Sequence, residues 1–583
     1  MQLELTENCI PRILFSLTPQ IQSRKMKIMS GASESARGNE QATPHVDAGG
    51  AAAEKGRRLK DPAGANRLFR IISPAYPTFN IYSHVADVTT SLGPVCIATA
   101  VNQLSGWDAE MIDENNYRRY GPRNHDGIPD HETLQRMRHA DVVGLYGGLT
   151  STIPRLYEIA RFYREAGVTT IAGGQHFAGE NIAEALQNGI DIVMIGEGED
   201  AIQEILVALA GGGDKKGIPG IAYLEDGKMV RTGERMRIAD FERLPLPDFS
   251  LVRYARIGIY PINWVRGCGM NCEFCTVKGK PRPASPERVF RHITNLVETR
   301  DARRFFIVDD LFGQFRKEAL RLCKLLADYQ DAIGVRIELT VQIRLDKARD
   351  SELLLAMRRA GVATVAIGFE SPIEDELRAM EKNLKPEEMI EQSLIYHRSG
   401  FHVHGMFIFG YPLPENAAFQ MPMHQRVRHF RRFIRRAGID TVQVLLPIPL
   451  PGTELRERLT KQGRVFSHEV IGWEYYDGNF PIFNPDPPAT AEEMQKAARR
   501  IMGRFYRFNY MFAVGFNVLS FPYMVFYLHN IRKGWRMWYT HFRHNVIRFG
   551  GWLTLRKWLN EYKKGNFPDK LDKAQKELAR TGT

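Results

Sequence analysis

From Leu68 onward, short apolar runs alternate with stretches of helical periodicity. Leu68–Ile72 reads as a strand and Pro94–Leu104 as a helix; Ala109–Asp113, Asp141–Leu145, Val168–Ala172 and Asp191–Ile195 read as four further strands. Runs of this kind, separated by helices, are buried on both faces and predict a parallel, doubly wound, Rossmann-like α/β sheet. Leu244-Pro245-Leu246-Pro247-Asp248 then reads as a stiff, extended connector. A second series follows: a strand leading to Cys268, then Phe305–Val308, Leu339–Ile343, Thr364–Phe369, His404–Gly410 and Val442–Leu446. Six βα units in succession predict a partial (β/α)6 barrel, in which chemistry collects at the carboxyl ends of the strands.

The pattern changes at both ends. Residues 1–65 are rich in Gly, Ala, Ser and charge, and predict a disordered leader. The expected domains are therefore 66–212 (the doubly wound sheet), 213–257 (a linker), 258–460 (the barrel) and 461–583 (a helical, basic and aromatic region). Within that last region Phe508–Leu528 holds no charged residue and is flanked by Arg504, Arg507, Arg532 and Lys533. Its length suits a bilayer crossing, but positive charge on both flanks disfavours one. A buried hairpin and a segment lying at a membrane surface both stay open. Next, Trp535, Trp538, Phe542, Val546, Phe549 and Leu553 form one apolar stripe among Arg536, Arg543, Arg548, Arg556 and Lys557. Such a stripe suits a membrane interface or packing on the barrel.

At 583 residues two to four domains are expected. The 44% hydrophobic and 25% charged content is that of a folded soluble protein. The formal charge of +12 is uneven: from Thr490 onward there are 18 Lys and Arg against 6 Asp and Glu, leaving the remainder near neutral. A confined basic patch points to an anionic membrane surface or another acidic partner. No nucleic-acid-binding motif accompanies it, so nucleic acid is not expected. Unpaired cysteines and the lack of a signal-peptide pattern place the protein in the cytoplasm, with peripheral attachment at the inner face of the membrane as the variant the tail suggests.

Of six cysteines, three stand in the run Arg266-Gly267-Cys268-Gly269-Met270-Asn271-Cys272-Glu273-Phe274-Cys275. A C-x3-C-x2-C spacing wraps three corners of a [4Fe–4S] cluster and leaves the fourth iron open. A structural zinc site wants four ligands, and no histidine between Trp264 and Phe290 completes one; a zinc knuckle borrowing a distant ligand is the alternative. The spacing resembles that of the radical S-adenosylmethionine (SAM) superfamily. The resemblance implies an open iron that chelates SAM, reductive cleavage to a 5′-deoxyadenosyl radical, an external flavodoxin- or ferredoxin-like reductant, and Phe274 beside the adenine. Asp309-Asp310, Arg344 and Glu370-Ser371 fall at strand ends, where the family's strands place polar SAM contacts. A lone Asp there equally caps the following helix.

The strand ends of the first sheet carry Thr150-Ser151-Thr152, Gly173-Gly174 and Gly196-Glu197-Gly198-Glu199, where glycine lets backbone approach a bulky ligand. Singly these are tight turns. In order they resemble the cobalamin-binding domain that precedes many radical SAM cores, making cobalamin, SAM and a [4Fe–4S] cluster the implied cofactors. Such domains often carry Asp-x-His-x-x-Gly with a cobalt-ligating histidine; the matching stretch here, Asp113–Arg118, has none. The resemblance covers about residues 66–460. It implies cobalamin-dependent methyl transfer to an unactivated carbon of a small molecule, with the tail suggesting an apolar or lipid one. The alternatives are radical cyclisation or rearrangement without methyl transfer, as in tetrapyrrole ring cyclases, and a non-catalytic cobalamin or redox sensor at the membrane. Methylthio transfer needs three more N-terminal cysteines, and only Cys9 and Cys96 precede the motif. No cysteine follows Cys323, which excludes a cysteine-ligated auxiliary cluster near the C-terminus.

Overall fold

The computed structural model describes residues 66–581 apart from 82, 383, 415–420 and 528–530, with backbone only at 84, 85, 522–527 and 531–537. The expected leader lies outside the described residues. Strands β1 (Arg67–Ser73), β2 (Trp107–Asp113), β3 (Val142–Tyr146), β4 (Thr169–Gly173) and β5 (Ile192–Met194) are parallel and lie in the order 5-4-3-1-2. Alternate side chains of β1 enter separate cores, as a two-residue period requires. Phe69 and Ile71 pack with α1 (Leu92–Val101) and α5 (Gly198–Gly211). Leu68 and Ile72 share a cluster with residues of α2 (His131–Met137), α3 (Ile153–Glu165) and α4 (Asn181–Gln187). Both faces are covered, which is why these strands read as unbroken apolar runs.

Residues 213–257 are more than a linker. β6 (Ile221–Glu225) and β7 (Lys228–Arg231) add an antiparallel hairpin to β5, and β8 (Val252–Arg253) pairs with β2, giving eight strands. The hairpin turns at Asp226 (φ 50°) and Gly227 (φ 73°), the two-residue turn whose positive φ values match strand twist. The Asp-Gly pair between Ile221-Ala222-Tyr223 and Met229-Val230 carried that information in the sequence.

The second sheet is the expected partial barrel. β9 (Tyr260–Ile262), β12 (Arg304–Phe312), β13 (Glu338–Ile343), β14 (Val362–Glu370), β15 (His402–Ile408) and β16 (Thr441–Leu445) run parallel in chain order. Between β9 and β12, a short antiparallel ribbon of β10 (Val265–Arg266) and β11 (Arg282–Pro283) carries the cysteine loop at its tip. The outer helices are α6 (Pro286–Arg300), α7 (Arg316–Ile333), α8 (Ser351–Arg359), α9 (Glu374–Ala379), α10 (Pro386–Arg398), α11 (Met423–Arg436) and α12 (Glu454–Lys461). Along β12, Phe305, Ile307 and Asp309 are buried beneath helices, while Phe306, Val308 and Asp310 are half-buried and face the interior.

Helices α13 (Ala491–Phe505), α14 (Tyr510–Tyr527), α15 (Ile531–Lys564) and α16 (Phe567–Thr581) follow. No helix among the described residues is long and apolar enough to cross a membrane. Of the two readings of the α15 stripe, packing on the barrel is the one found. Val546 is buried, Arg543 pairs with Glu338 at 2.9 Å, Arg548 donates to the Ile439 carbonyl at 3.2 Å, and His544 lies 3.4 Å from Asp440. The side chain of Trp535 lies outside the described residues. The apolar surface left open is instead on α14, where Phe512, Phe516 and Leu519 are 63%, 72% and 80% exposed along one face.

Candidate functional site

The cysteine loop turns on glycines. Gly267 has φ +85°, and a Cβ there would sit 2.8 Å from the Lys280 carbonyl oxygen; Gly269 (+75°) and Gly279 (+98°) complete the bend. Cys268, Cys272 and Cys275 are free thiols, each half-buried. Among the described residues no three His, Cys, Asp or Glu side chains converge as a single ion demands. Three thiols on one loop with no fourth donor beside them are the donor set of an open-cornered cubane. Glu273 fastens the loop to the barrel: its carboxylate accepts from Arg458 Nε at 2.5 Å and from the Tyr411 hydroxyl at 2.5 Å. Phe274, the neighbour of Cys275, packs edge-on against Tyr411 with centroids 5.9 Å apart.

The paired aspartates at the end of β12 divide by strand parity. Asp310 is half-buried on the interior face, where its charge raises the thiol pKa of both Cys268 and Cys275 after their burial does so. Asp309, 2% exposed, points the other way. Its Oδ1 accepts from the Trp264 backbone N–H at 2.8 Å and from Asn263 Nδ2 at 3.1 Å, and burial pushes its pKa up to about 7. The structure thus corrects the expectation for Asp309: it braces the segment entering the cysteine ribbon, because successive residues of a strand point to opposite faces.

Glu370 stands on a distortion. The β14–β15 register shifts between Gly368 and Glu370, and Glu370 takes φ +59°, a conformation unusual outside glycine. A Cβ on Gly368 would sit 2.6 Å from Glu370 Oε1, so the glycine makes room for the carboxylate. Lys382, which sequence reasoning missed, lies 3.2 Å from Glu370 Oε1 and close enough to Cys272 and Cys268 for their charge to raise its pKa. No spacing pattern marks it; the turn that ends α9, where the Lys382 N–H donates to the Leu377 carbonyl at 2.8 Å, returns it to the end of β14. Ser371 departs from expectation. It is fully buried, its hydroxyl donates to Glu376, and it accepts from the Ile373 N–H at 3.1 Å, so it closes the turn before α9. Arg344 is exposed at the rim, 3.1 Å from Asp346 Oδ1, with a guanidinium N–H 3.8 Å from the Met270 sulfur in the cysteine loop.

A cleft of about 850 Å³, counting its open mouth, lies between the first sheet and the barrel. Thr150 and Ser151 line it from the loop after β3. Gly173 and Gly174 do not line it: Gly173 packs against Met194, and a Cβ on Gly174 (φ +131°) would sit 2.7 Å from the Gly148 nitrogen, so the loops after β3 and β4 touch through glycine beside the cleft. Sequence reasoning missed Tyr76, Asn80, Gln175, Gln443 and Asp477, which also line the cleft. The first two follow β1 directly and were findable from topology alone. Thr276, adjacent to Cys275, lines the cleft and donates to Gln175 Oε1 at 2.8 Å, so the cysteine loop forms part of the wall.

Gly196, Glu197, Gly198 and Glu199 are displaced from that cleft and require correction. Glu199 Oε1 is 2.5 Å from Arg266 Nη2, Glu197 Oε1 is 2.7 Å from Arg282 Nη2, and both guanidinium groups lie over the Phe241 ring at 5.0 and 5.4 Å. Gly196 (φ +96°) turns the chain, and Gly198 packs against Ile97. The segment bolts the first domain to the cysteine ribbon, since β10 and β11 present two arginines that burial would otherwise leave unpaired.

Family comparison agrees with this division. Residues 262–417 match the Radical SAM superfamily model and residues 81–206 the B12 binding domain model. An uncharacterized methyltransferase of Pyrococcus horikoshii is 27% identical over 380 residues, covering 63% of this chain and 78% of that protein. The hopanoid C-2 methylase of Rhodopseudomonas palustris is 29% identical over 235 residues, 39% of this chain and 42% of that protein. The structure of the radical SAM methyltransferase TsrM from Kitasatospora setae, with cobalamin and a [4Fe–4S] cluster bound, superposes with a TM-score of 0.56 at 17% identity, covering 68% of this chain and 78% of that one.

Proposed function

This chain belongs to the cobalamin-binding radical SAM enzymes, and from that premise we propose that it transfers a methyl group to an unactivated carbon of a small, apolar molecule. When bound, the cluster with SAM supplies the 5′-deoxyadenosyl radical and cobalamin supplies the transferable methyl group. The observation that carries the reading is the shared wall: Thr276 of the cysteine loop faces the same cleft as Thr150 and Ser151 of the first sheet. This shared wall supports radical formation and methyl delivery at one cleft.

The chain's own residues divide the work. Cys268, Cys272 and Cys275 would hold the cluster, and Asp310 and Glu370 would accept hydrogen bonds from the amino and hydroxyl groups of SAM. Lys382, paired with Glu370 at 3.2 Å, would take the SAM carboxylate, with Arg344 as a second cation at the rim. Phe274, adjacent to the last thiol and packed edge-on against Tyr411, would lie beside the adenine. The Glu197–Arg282 and Glu199–Arg266 pairs tie the first sheet to the cysteine ribbon at the barrel mouth and limit entry of water. A one-electron donor of the flavodoxin or ferredoxin class is required, since no second cysteine group exists in the chain to relay electrons.

An apolar substrate and a peripheral place at an anionic membrane are supported by α14. Its open Phe512, Phe516 and Leu519 face adjoins exposed Arg504 and Arg507 and contains no acidic residue. Sedimentation with phosphatidylglycerol vesicles tests this: pelleting that is lost in an F512S/F516S/L519S variant is expected, and no pelleting of the wild type contradicts it. The catalytic reading is tested by anaerobic reconstitution with SAM and dithionite. Formation of 5′-deoxyadenosine is expected; its absence would favour a sensor.

A further inference from the structure

In a doubly wound sheet, ligands bind where the strand order reverses, beyond the carboxyl ends. Here the reversal falls between β1 and β3. The loop after β1 brings Tyr76 and Asn80 to the cleft, and the loop after β3 brings Thr150 and Ser151. The histidine-less stretch Asp113–Asn116 follows β2, on the far side of β1 from that crevice.

Every side chain of that stretch is already engaged. Asp113 Oδ2 accepts from the Thr90 hydroxyl at 2.7 Å. The Glu114 carboxylate is held by Arg155 at 2.8 Å, by the Ala75 N–H at 2.8 Å and by His131 at 3.1 Å. Asn116 Nδ2 donates to the Thr89 carbonyl at 2.7 Å. Asn115 grips the loop after β1 from both ends of its amide: Nδ2 donates to the Pro74 carbonyl at 3.0 Å, and Oδ1 accepts from the Tyr76 N–H at 2.8 Å. The stretch is a clamp on the loop that enters the crevice.

What the clamp presents is Tyr76. Its side chain lines the cleft, and its hydroxyl makes no hydrogen bond among the described residues. Burial and the nearby Asp113 carboxyl push its pKa up, so it enters the crevice as a neutral phenol. His176 is the histidine on this cleft. It is 1% exposed and set edge-on against Phe177 and Trp473. Its Nδ1 lies 3.3 Å from the Thr150 hydroxyl and its Nε2 3.0 Å from Asn181 Nδ2, which leaves neither nitrogen for cobalt.

We propose that Tyr76 is the side chain this protein sets against the lower axial face of cobalt, and that Asn115 positions it through the Tyr76 backbone. The proposal rests on the cobalamin reading above. A neutral phenol oxygen is a weaker donor than an imidazole, and such outer contacts tune a metal's behaviour.

Electron paramagnetic resonance of the full-length protein loaded with cob(II)alamin tests it without turnover. The wild type is expected to show no nitrogen splitting. Tyr76→His is expected to acquire the triplet of a 14N ligand, which collapses to a doublet when the protein is made with 15N-histidine. Tyr76→Phe is expected to retain cobalamin with shifted g values and cobalt hyperfine coupling. A Tyr76→His protein that binds cobalamin stoichiometrically and shows no isotope-sensitive splitting overturns the proposal. So does a Tyr76→Phe spectrum that superimposes on the wild type, which decides the matter if the histidine variant fails to fold. A wild type that binds no cobalamin overturns the underlying reading instead, so the two failures are distinct.

Discussion

Arg266 Nη2 lies 2.5 Å from Glu199 Oε1, joining the strand that leads into the cysteine loop to the first turn of α5 in the other domain. Two side chains 67 positions apart thereby lock the two cofactor-binding halves together. The same guanidinium reaches Glu197 at 3.6 Å and rests on Phe241.

Replacing Arg266 with Ala strands Glu199, which is 7% exposed. Removing one partner of a buried pair costs about 3 kcal/mol, so a clear drop in the urea midpoint is expected, with a smaller drop for Arg266→Lys. An unchanged midpoint would show that the pair contributes nothing to domain docking.

The Glu370–Lys382 pair predicts a kinetic effect separable from folding. Glu370→Gln and Lys382→Met should each slow 5′-deoxyadenosine formation about 10- to 100-fold by loosening SAM, while iron content stays at the wild-type level. Raising the SAM concentration should restore part of the rate. Full activity in both variants would remove them from the site.

Cluster ligation separates the cysteines. Cys272→Ala should abolish the broad visible absorbance of the reconstituted cluster. Cys323, buried on α7 away from the loop, can be changed to Ala with that absorbance intact and a stability loss of about 1 kcal/mol. Surviving absorbance in Cys272→Ala would refute the ligand set.

Acid should weaken the seat of α15. Asp440 accepts from the Val403 N–H at 2.8 Å and from His397 at 3.3 Å, with His544 3.4 Å away. His402, at the start of β15, is held down to about 4, chiefly by burial. Its unfolded form takes up a proton near pH 6.5 and the folded form only near 4, so stability present above pH 6.5 is lost as pH falls through that window, by up to about 3 kcal/mol. Below it, the Asp440 carboxyl, also held low by its histidine partners, adds a further loss as its own folded pKa is approached. Urea midpoints between pH 7 and 4.5 should fall for the wild type and fall less steeply for His402→Gln.

Strand periodicity made both sheets legible, because strands buried on both faces leave unbroken apolar runs and those of the barrel end in polar groups. The cysteine triad was legible for the same reason: its spacing is local. Asp309 and Ser371 were misplaced because proximity in sequence does not fix which side of a strand or turn a residue faces. Glu197 and Glu199 sit at a strand end but outside the crevice, since strand order, invisible in the sequence, decides which ends converge. Lys382 arrives through the turn after α9, and Asp477 through a segment 202 positions beyond Cys275; no local pattern announces either.

The most direct test of methyl transfer is to follow SAM carrying a deuterated methyl group through anaerobic turnover of the reconstituted, cobalamin-loaded protein with a small-molecule extract of its own cells. S-adenosylhomocysteine and 5′-deoxyadenosine should form together, and the label should enter an apolar product. If 5′-deoxyadenosine forms alone and no product carries the label, methyl transfer is contradicted and radical cyclisation or oxidation takes its place.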